Sequence, residues 1–229
     1  GTYTVTTSLN EDATGAAVAE IDTAAILAAL DGTPAILRLD RDLELTVPEE
    51  MKKSVSFDNL TVEGNGHSLT LIMDQYSLDA DDFVLNQVNG FTVKKPDGEY
   101  ASLNFANLKM AGSRMEGDSV SLRGSSVIDA ASSVKGHSLS LQNEWAYANP
   151  MFDGHYYAIT EPARCEIDGS LEFDWVSIST YGSPIEIAGN GKIKAGSLYI
   201  EPESYITLNI QFLEASATIE TQSQFRLMY

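Results

Sequence analysis

The chain has 229 residues, 43% of them apolar and 9% aromatic, which is the composition of an ordered, core-forming protein and excludes a disordered one. Its 33 acidic side chains against 14 basic ones give a formal net charge of -19. That charge repels phosphate backbones and anionic lipid surfaces, so neither nucleic acid nor a membrane is an expected partner, and no membrane insertion is expected.

It also disfavours a polyuronate, unless calcium or a local basic cluster supplies the attraction, and leaves a neutral glycan or a protein as the better partner. The single Cys165 has no intrachain disulfide partner, and no Cys/His spacing suggests zinc, so cysteine usage does not fix the compartment.

From the first residue, Gly1 leads directly into a strand-like segment from Tyr3 to Thr7, which reads as a mature or trimmed start. Residues 22–32 predict a short helix. Asp22 is placed to cap the first amide hydrogens, Ile26, Leu27 and Leu30 supply an apolar face, and Gly32 permits the left-handed exit. A helix this apolar has to lie against other structure.

After Ala35 the texture becomes short alternating segments that run almost to Tyr229, with no second helical period. A polar or small residue followed by apolar-x-apolar recurs from Asn59 to Val62, Gly90 to Val93, Asn107 to Met110, Ser119 to Leu122, Ser138 to Leu141 and Ser197 to Ile200. Strands of three or four residues bury little individually. Stacked coil on coil, each gains two hydrogen-bonding neighbours and a share in one core. A parallel β-helix meets that requirement, with the early helix covering its first coil. Asn59 and Asn107 precede apolar-x-apolar units where a coil turns, and Asn89 lies one position further upstream. Asparagine tolerates left-handed backbone and bonds nearby main chain.

The segment from Phe57 to Leu71, FDNLTVEGNGHSLTL, preceded by a helix, resembles the opening coil of the right-handed parallel β-helix, or pectate-lyase-like, superfamily. The resemblance implies a fold, a single-stranded right-handed parallel β-helix with an N-terminal capping helix, and an extracellular or cell-surface setting. Within that superfamily the chain looks like a non-enzymatic or uncharacterised surface-protein branch. The alternating runs around Gly64-Asn65-Gly66 also fit a hairpin, so a β-sandwich or meander is the alternative topology.

Enzymes of the superfamily set carboxylates with arginine or lysine along a groove, but none of their motif sets is present, and no catalytic residue carries over. Asp81-Asp82 stands without companions. Asp74, Asp79, Asp81 and Asp82 offer closely spaced oxygens for calcium, but without the glycine of an EF-hand loop they read as a solvated acidic loop. No cofactor and no metal site is assigned. His67 and His137 both stand in Gly-His-Ser, which suggests corner chemistry, and no Gly-x-Ser-x-Gly elbow, phosphate loop or dinucleotide fingerprint exists.

The rhythm breaks at residues 142–166. This insertion concentrates Trp145, Tyr147, Phe152, His155, Tyr156 and Tyr157 with Asp153, flanked by Glu144 and Arg164. Aromatic faces on an insertion stack on sugars or anchor interfaces, and they equally fold over a scaffold as a satellite core. The segment from Phe225 to Tyr229 is expected to close the far end.

Residues 1–229 are therefore expected to form one β-helix domain. It has a strand and capping helix over 1–34 and a ligand-binding insertion of Trp145, Tyr147, Phe152, Asp153, His155, Tyr156 and Tyr157. The expected function is that of a secreted or surface adhesin-like module, of bacterial type, binding a neutral glycan or a surface partner. The alternatives are a polysaccharide lyase or glycoside hydrolase using groove carboxylates, and a structural spacer.

Overall fold

A computed structural model describes residues 2–4, 8–11, 17–143, 145–147, 156–158, 161–179, 184–200, 206–215 and 225–227. Side chains are described for Thr4 and for residues 21–143, 161–179 and 184–200. The protein is a parallel β-solenoid. Among the described residues, nineteen strands form one continuous hydrogen-bonded sheet that winds around a single core.

Each coil contributes to three faces. The first face stacks Ala35–Arg38, Leu60–Glu63, Val84–Asn86, Lys109–Ala111, Val127–Ile128 and Ala163–Ile167 in parallel register. Leu43–Thr46, Ser68–Ile72, Gly90–Lys94 and Arg114–Glu116 begin the second face, which continues through residues 133–136, 170–173 and 192–195. The third holds Ser77–Asp81, Ser102–Ala106 and Ser119–Arg123, then residues 138–142, 175–179 and 197–200.

Alternation sends every second residue inward, and register stacks like on like. Leu43, Leu69, Phe91, Met115, Val134, Leu171 and Ile193 form one internal column of the second face. Phe83, from the corner between the third and first faces, meets Phe91 of the second face and Phe105 of the third inside, with ring centroids 5.3 Å apart in both pairs that include Phe83. The short strands expected from the sequence thus acquire both their hydrogen-bond neighbours and their core from adjacent coils.

Asparagine is used at the corners as its chemistry predicts. Asn59, Asp82, Asn107 and Gly124 stack where the third face turns into the first, all left-handed, with φ of 56°, 54°, 56° and 70°. Backbone amides of the first three donate to carbonyls of the following coil. Side chains add further ties: Asn59 Nδ2 donates to the Gly32 carbonyl at 2.9 Å, and Asn107 Oδ1 accepts from the Ser125 amide at 2.9 Å.

Gly64-Asn65-Gly66 is also a corner. Leu60–Glu63 and Ser68–Ile72 lie on different faces and pair with other coils, not with each other, so the hairpin and sandwich alternative does not hold. Asn65 takes φ 51° and its Nδ2 donates to the Leu39 carbonyl at 3.0 Å. The two glycines are required for different reasons. Gly66 has φ 85°, with nothing near where a Cβ would stand, whereas a Cβ on Gly64 would lie 2.4 Å from the Gln87 carbonyl oxygen. One supplies a left-handed turn, the other a close approach between coils.

At the N-terminal side the helix is Thr23–Ala28, shorter than the sequence suggests. Asp22 Oδ1 accepts the Ala25 amide at 3.0 Å, and Gly32 takes φ 90°. Ile26, Leu27 and Leu30 are buried in the common core. Thr2–Thr4 pairs in parallel with Ala35–Arg38, so the first-face ladder extends by one strand beyond it. Towards the other end, Phe225–Leu227 pairs with Ile206–Ala215 as a further parallel strand.

Buried Cys165 stacks on Ile187 in the first face. Burial pushes its thiol up to about 12. It is expected to resist a thiol-specific reagent in the native protein and to react fully once denatured. Fast labelling of the native state would show that the first face opens at that coil.

Candidate functional site

The aromatic insertion departs from the scaffold after Asn143, where the third face turns into the first. Asn143 is buried, and its Nδ2 donates to the carbonyls of Glu161 at 2.9 Å and Pro184 at 3.0 Å, which ties the two ends of the insertion to the next coil. Within it, Trp145–Tyr147 pairs antiparallel with Tyr156–Ala158, setting Trp145 opposite Ala158, Ala146 opposite Tyr157 and Tyr147 opposite Tyr156. Backbone pairing thus brings four of the seven expected site residues together. Phe152, Asp153 and His155 lie outside the described residues, as do all side chains of this hairpin. Arg164, at its return, pairs with Glu186 at 2.8 Å.

A second aromatic set lies on the scaffold itself. Trp175 is 52% exposed and Tyr199 40% exposed, and both project outward from the third face. Trp175 is in register with Ser197 and Ser177 with Tyr199, so the two rings occupy diagonal positions on adjacent coils. Coil spacing of about 4.8 Å puts such diagonal neighbours within reach of one ligand.

Around them the face is hydroxyl- and amide-rich. Asn104, Ser121, Ser140 and Ser177 form one outward column leading to Tyr199, and Ser119 and Ser138 form another leading to Trp175. Its charge is largely internal: Arg123 Nε donates to Asn104 Oδ1 at 2.9 Å, and its Nη2 lies 3.6 Å from Asp81. Gln142 Nε2 donates to Ser121 Oγ at 3.1 Å. The result is a flat strip of small donors and acceptors ending in two exposed rings.

Trp175 owes its exposure to a change of phase. Leu171 and Phe173 point inward on the second face and Val176 and Ile178 on the third, so the corner at Asp174 shifts the alternation by one and turns Trp175 to solvent. Aromatic density along the chain misses this residue. The broken alternation between Phe173 and Val176 is the signal that finds it.

Where the second face turns into the third lies an open groove of about 850 Å³. Along its edge Asp118, His137, Asp174 and Gly196 occupy successive coils, each preceding a residue in the register Ser119, Ser138, Trp175, Ser197. His137 Nδ1 lies 2.8 Å from Asp174 Oδ2, and the Asp118 carbonyl accepts the amides of His137 and Ser138. Glu116, Lys135, Glu172 and Lys194 alternate across the floor, with Lys135 3.7 Å from Glu116 and Lys194 3.7 Å from Glu172. At one wall Tyr100 stands beside Glu116. Burial, then the Glu116 charge, raises its phenol above the ordinary tyrosine range.

A neighbouring hollow of about 580 Å³ shares this floor and is bounded by the turn 129–132. Asp129 fixes that turn by accepting the Ser132 hydroxyl at 2.7 Å and the Gly112 amide at 3.0 Å. Partial burial acts to raise its pKa, but the Ser132 hydroxyl and the Gly112, Ala131 and Ser132 amides outweigh it, and the carboxyl titrates below its usual range. A depressed folded pKa means that this contribution to stability is present above the unfolded pKa and is lost as pH falls through the folded one. Asp129→Asn is therefore expected to lose stability at neutral pH and to show a shallower acid limb. Parallel limbs in the two proteins would remove Asp129 from the acid transition.

The two Gly-His-Ser units are not equivalent corners. His67 sits between the first and second faces, 3.6 Å from Asp42, whereas His137 sits between the second and third and lines the groove. In the acidic stretch, Asp79 and Asp81 belong to Ser77–Asp81 and Asp82 is a left-handed corner. Among the described residues, no three histidine, cysteine, aspartate or glutamate side chains are placed to hold a metal ion, and no helix is long and apolar enough to cross a membrane.

Comparison with protein-family models, curated proteins and solved structures finds no match to this chain.

Proposed function

We propose that this protein is a glycan-binding β-solenoid module whose binding surface is the third face, centred on Trp175 and Tyr199. The observation that carries the reading is the pair of exposed rings, on adjacent coils of a rigid scaffold, at the end of a strip of hydroxyls and amides. Pyranose rings present an apolar C–H face and a polar rim. Such a strip offers a partner for each: indole and phenol rings for the C–H face, serine, asparagine and glutamine for the hydroxyls. The net charge of -19 favours a glycan without carboxylates or sulfates.

Kinship with the pectate-lyase-like superfamily, a right-handed coil and a secreted or cell-surface, adhesin-like role in a bacterium belong to the same proposal, supported by the opening-coil resemblance. The insertion hairpin leaves the scaffold at the edge of the same face, so Trp145, Tyr147, Tyr156 and Tyr157 are proposed as a second contact set.

A glycan array probed with wild type and with Trp175→Ala/Tyr199→Ala tests the reading. Wild type is expected to retain at least one neutral or amino glycan class, and the variant to lose about tenfold or more in affinity. Retention unchanged in the variant, or no glycan bound by wild type, would sink it and favour a spacer.

One observation favours a second reading, glycan cleavage: the corner groove combines Glu116, Asp118, Glu172 and Asp174 with His137 and two lysines. A hydrolase needs two opposed carboxyl groups and a lyase a base beside a charge clamp. Incubation with a polysaccharide panel, followed for new reducing ends and for unsaturated products, decides this reading. Silence in both assays removes it.

A further inference from the structure

We infer that the preferred ligand is an aminoglycan, a polymer of hexosamine units carrying free ammonium groups, and that Asp118 and Asp174 are the residues that select for it. The inference rests on the glycan reading of the third face and assigns its charge specificity. Its starting point is the position of the carboxylates, not their number. Asp174 immediately precedes Trp175, and Asp118 precedes Ser119, which lies in the same outward column two coils away. Both therefore stand along the border shared by the groove and the aromatic strip. The exposed indole is an independent mark of a ligand at this border.

The groove's other charges are already matched. Lys135 lies 3.7 Å from Glu116 and Lys194 3.7 Å from Glu172, so the floor is a neutral ladder. Among the described residues no cation pairs with Asp118, and Asp174 has only His137, at 2.8 Å. Beyond Asp174 the row continues as Gly196, whose missing side chain leaves the approach to Trp175 open. A Cβ there would lie 2.6 Å from the Asp174 carbonyl oxygen, so the opening is enforced by the backbone.

A sugar stacked on Trp175 thus carries its substituents past a carboxylate edge. An ammonium group gains there from Asp174 and from the ring's own negative face, and one on a neighbouring unit of the polymer gains from Asp118. An acetamido or hydroxyl group at the same carbon gains only a hydrogen bond. A carboxylate or sulfate is repelled by the edge and by the protein's overall charge.

Titration calorimetry with two soluble oligosaccharides of equal length, one of β-linked glucosamine and one of its fully N-acetylated form, tests this at low salt and near-neutral pH. Wild type is expected to bind the free amine about tenfold more tightly, with the advantage shrinking as salt is added. Asp118→Asn/Asp174→Asn is expected to abolish the advantage while still binding the acetylated oligomer. Trp175→Ala is expected to weaken both. Circular dichroism and a thermal melt establish that each variant is folded.

Equal wild-type affinity for the two oligomers, or an advantage that survives in the double asparagine variant, overturns the inference and leaves the glycan reading standing. If wild type binds neither these oligomers nor any array glycan, both fall together.

Discussion

Replacing Gly64 by alanine is expected to destabilise the protein by about 3 kcal/mol or more, while the same change at Gly66, two residues away, costs only about 1–2 kcal/mol. The added methyl on Gly64 would stand 2.4 Å from the Gln87 carbonyl oxygen and 2.7 Å from Val88 Cα. Both are main-chain atoms of the next coil. Relief requires separating two coils whose amides and carbonyls are bonded, including Gly64 to Asn86 and Gly66 to Gln87 at 2.8 Å each. At Gly66 nothing lies within 4 Å of the added methyl, and the cost is only that of holding alanine at φ 85°. Urea unfolding of the two variants beside wild type reads the difference. Equal losses would mean that the coils part easily, and that stacking at this corner is looser than the backbone distances indicate.

Truncating Phe83 to alanine is expected to cost about 3–5 kcal/mol, against a change within about 0.5 kcal/mol for Trp175→Ala. Phe83 is fully buried and holds Phe91 and Phe105 together from the corner leading into Val84–Asn86, with both centroids 5.3 Å away. Its loss leaves a void bounded by three faces that cannot all close inward. Trp175, half exposed, fills no internal space. Thermal melts of the two variants test this pair of expectations together with the functional reading. If Trp175→Ala proved as damaging as Phe83→Ala, the indole would be a structural residue and its exposure no argument for a ligand.

Much of the scaffold was legible because the coil is built from local rules. Alternation in Leu60–Glu63, Gly90–Lys94 and Ser119–Arg123 marks the buried side of each strand, and Asn59 and Asn107 mark corners through their tolerance of left-handed backbone. The acidic excess was legible in composition, and it limits the ligand classes. The strand from Ser197 to Ile200 was legible too, but Tyr199 as a site residue was not, since its place at the outward position of an apolar-x-apolar unit does not show which rings lie beside it.

The site was less so. Asp118, His137 and Asp174 are 56 residues apart from first to last in the numbering, and only stacking makes them one row. The spacing between stacked residues changes from coil to coil: Ser119 meets Ser138 after 19 residues, but Ser138 meets Trp175 after 37 because the insertion intervenes. No fixed period in the sequence therefore reveals the columns. The two Gly-His-Ser units illustrate the same limit, being alike in sequence and on different corners in space.

By itself, then, the sequence determined that short alternating strands would wind around a common core, where asparagine and glycine would turn them, and that the surface would be acidic. These follow from interactions within a few residues or from composition. Only the tertiary structure decided which outward residues become neighbours, because lateral contacts depend on the length of every intervening loop. Those contacts make an exposed pair of rings beside a carboxylate edge from residues that are unremarkable one at a time. The Gly64 and Gly66 corner shows the distinction at its smallest: the sequence marks both as a turn, and only the next coil reveals that one of them is a point of contact.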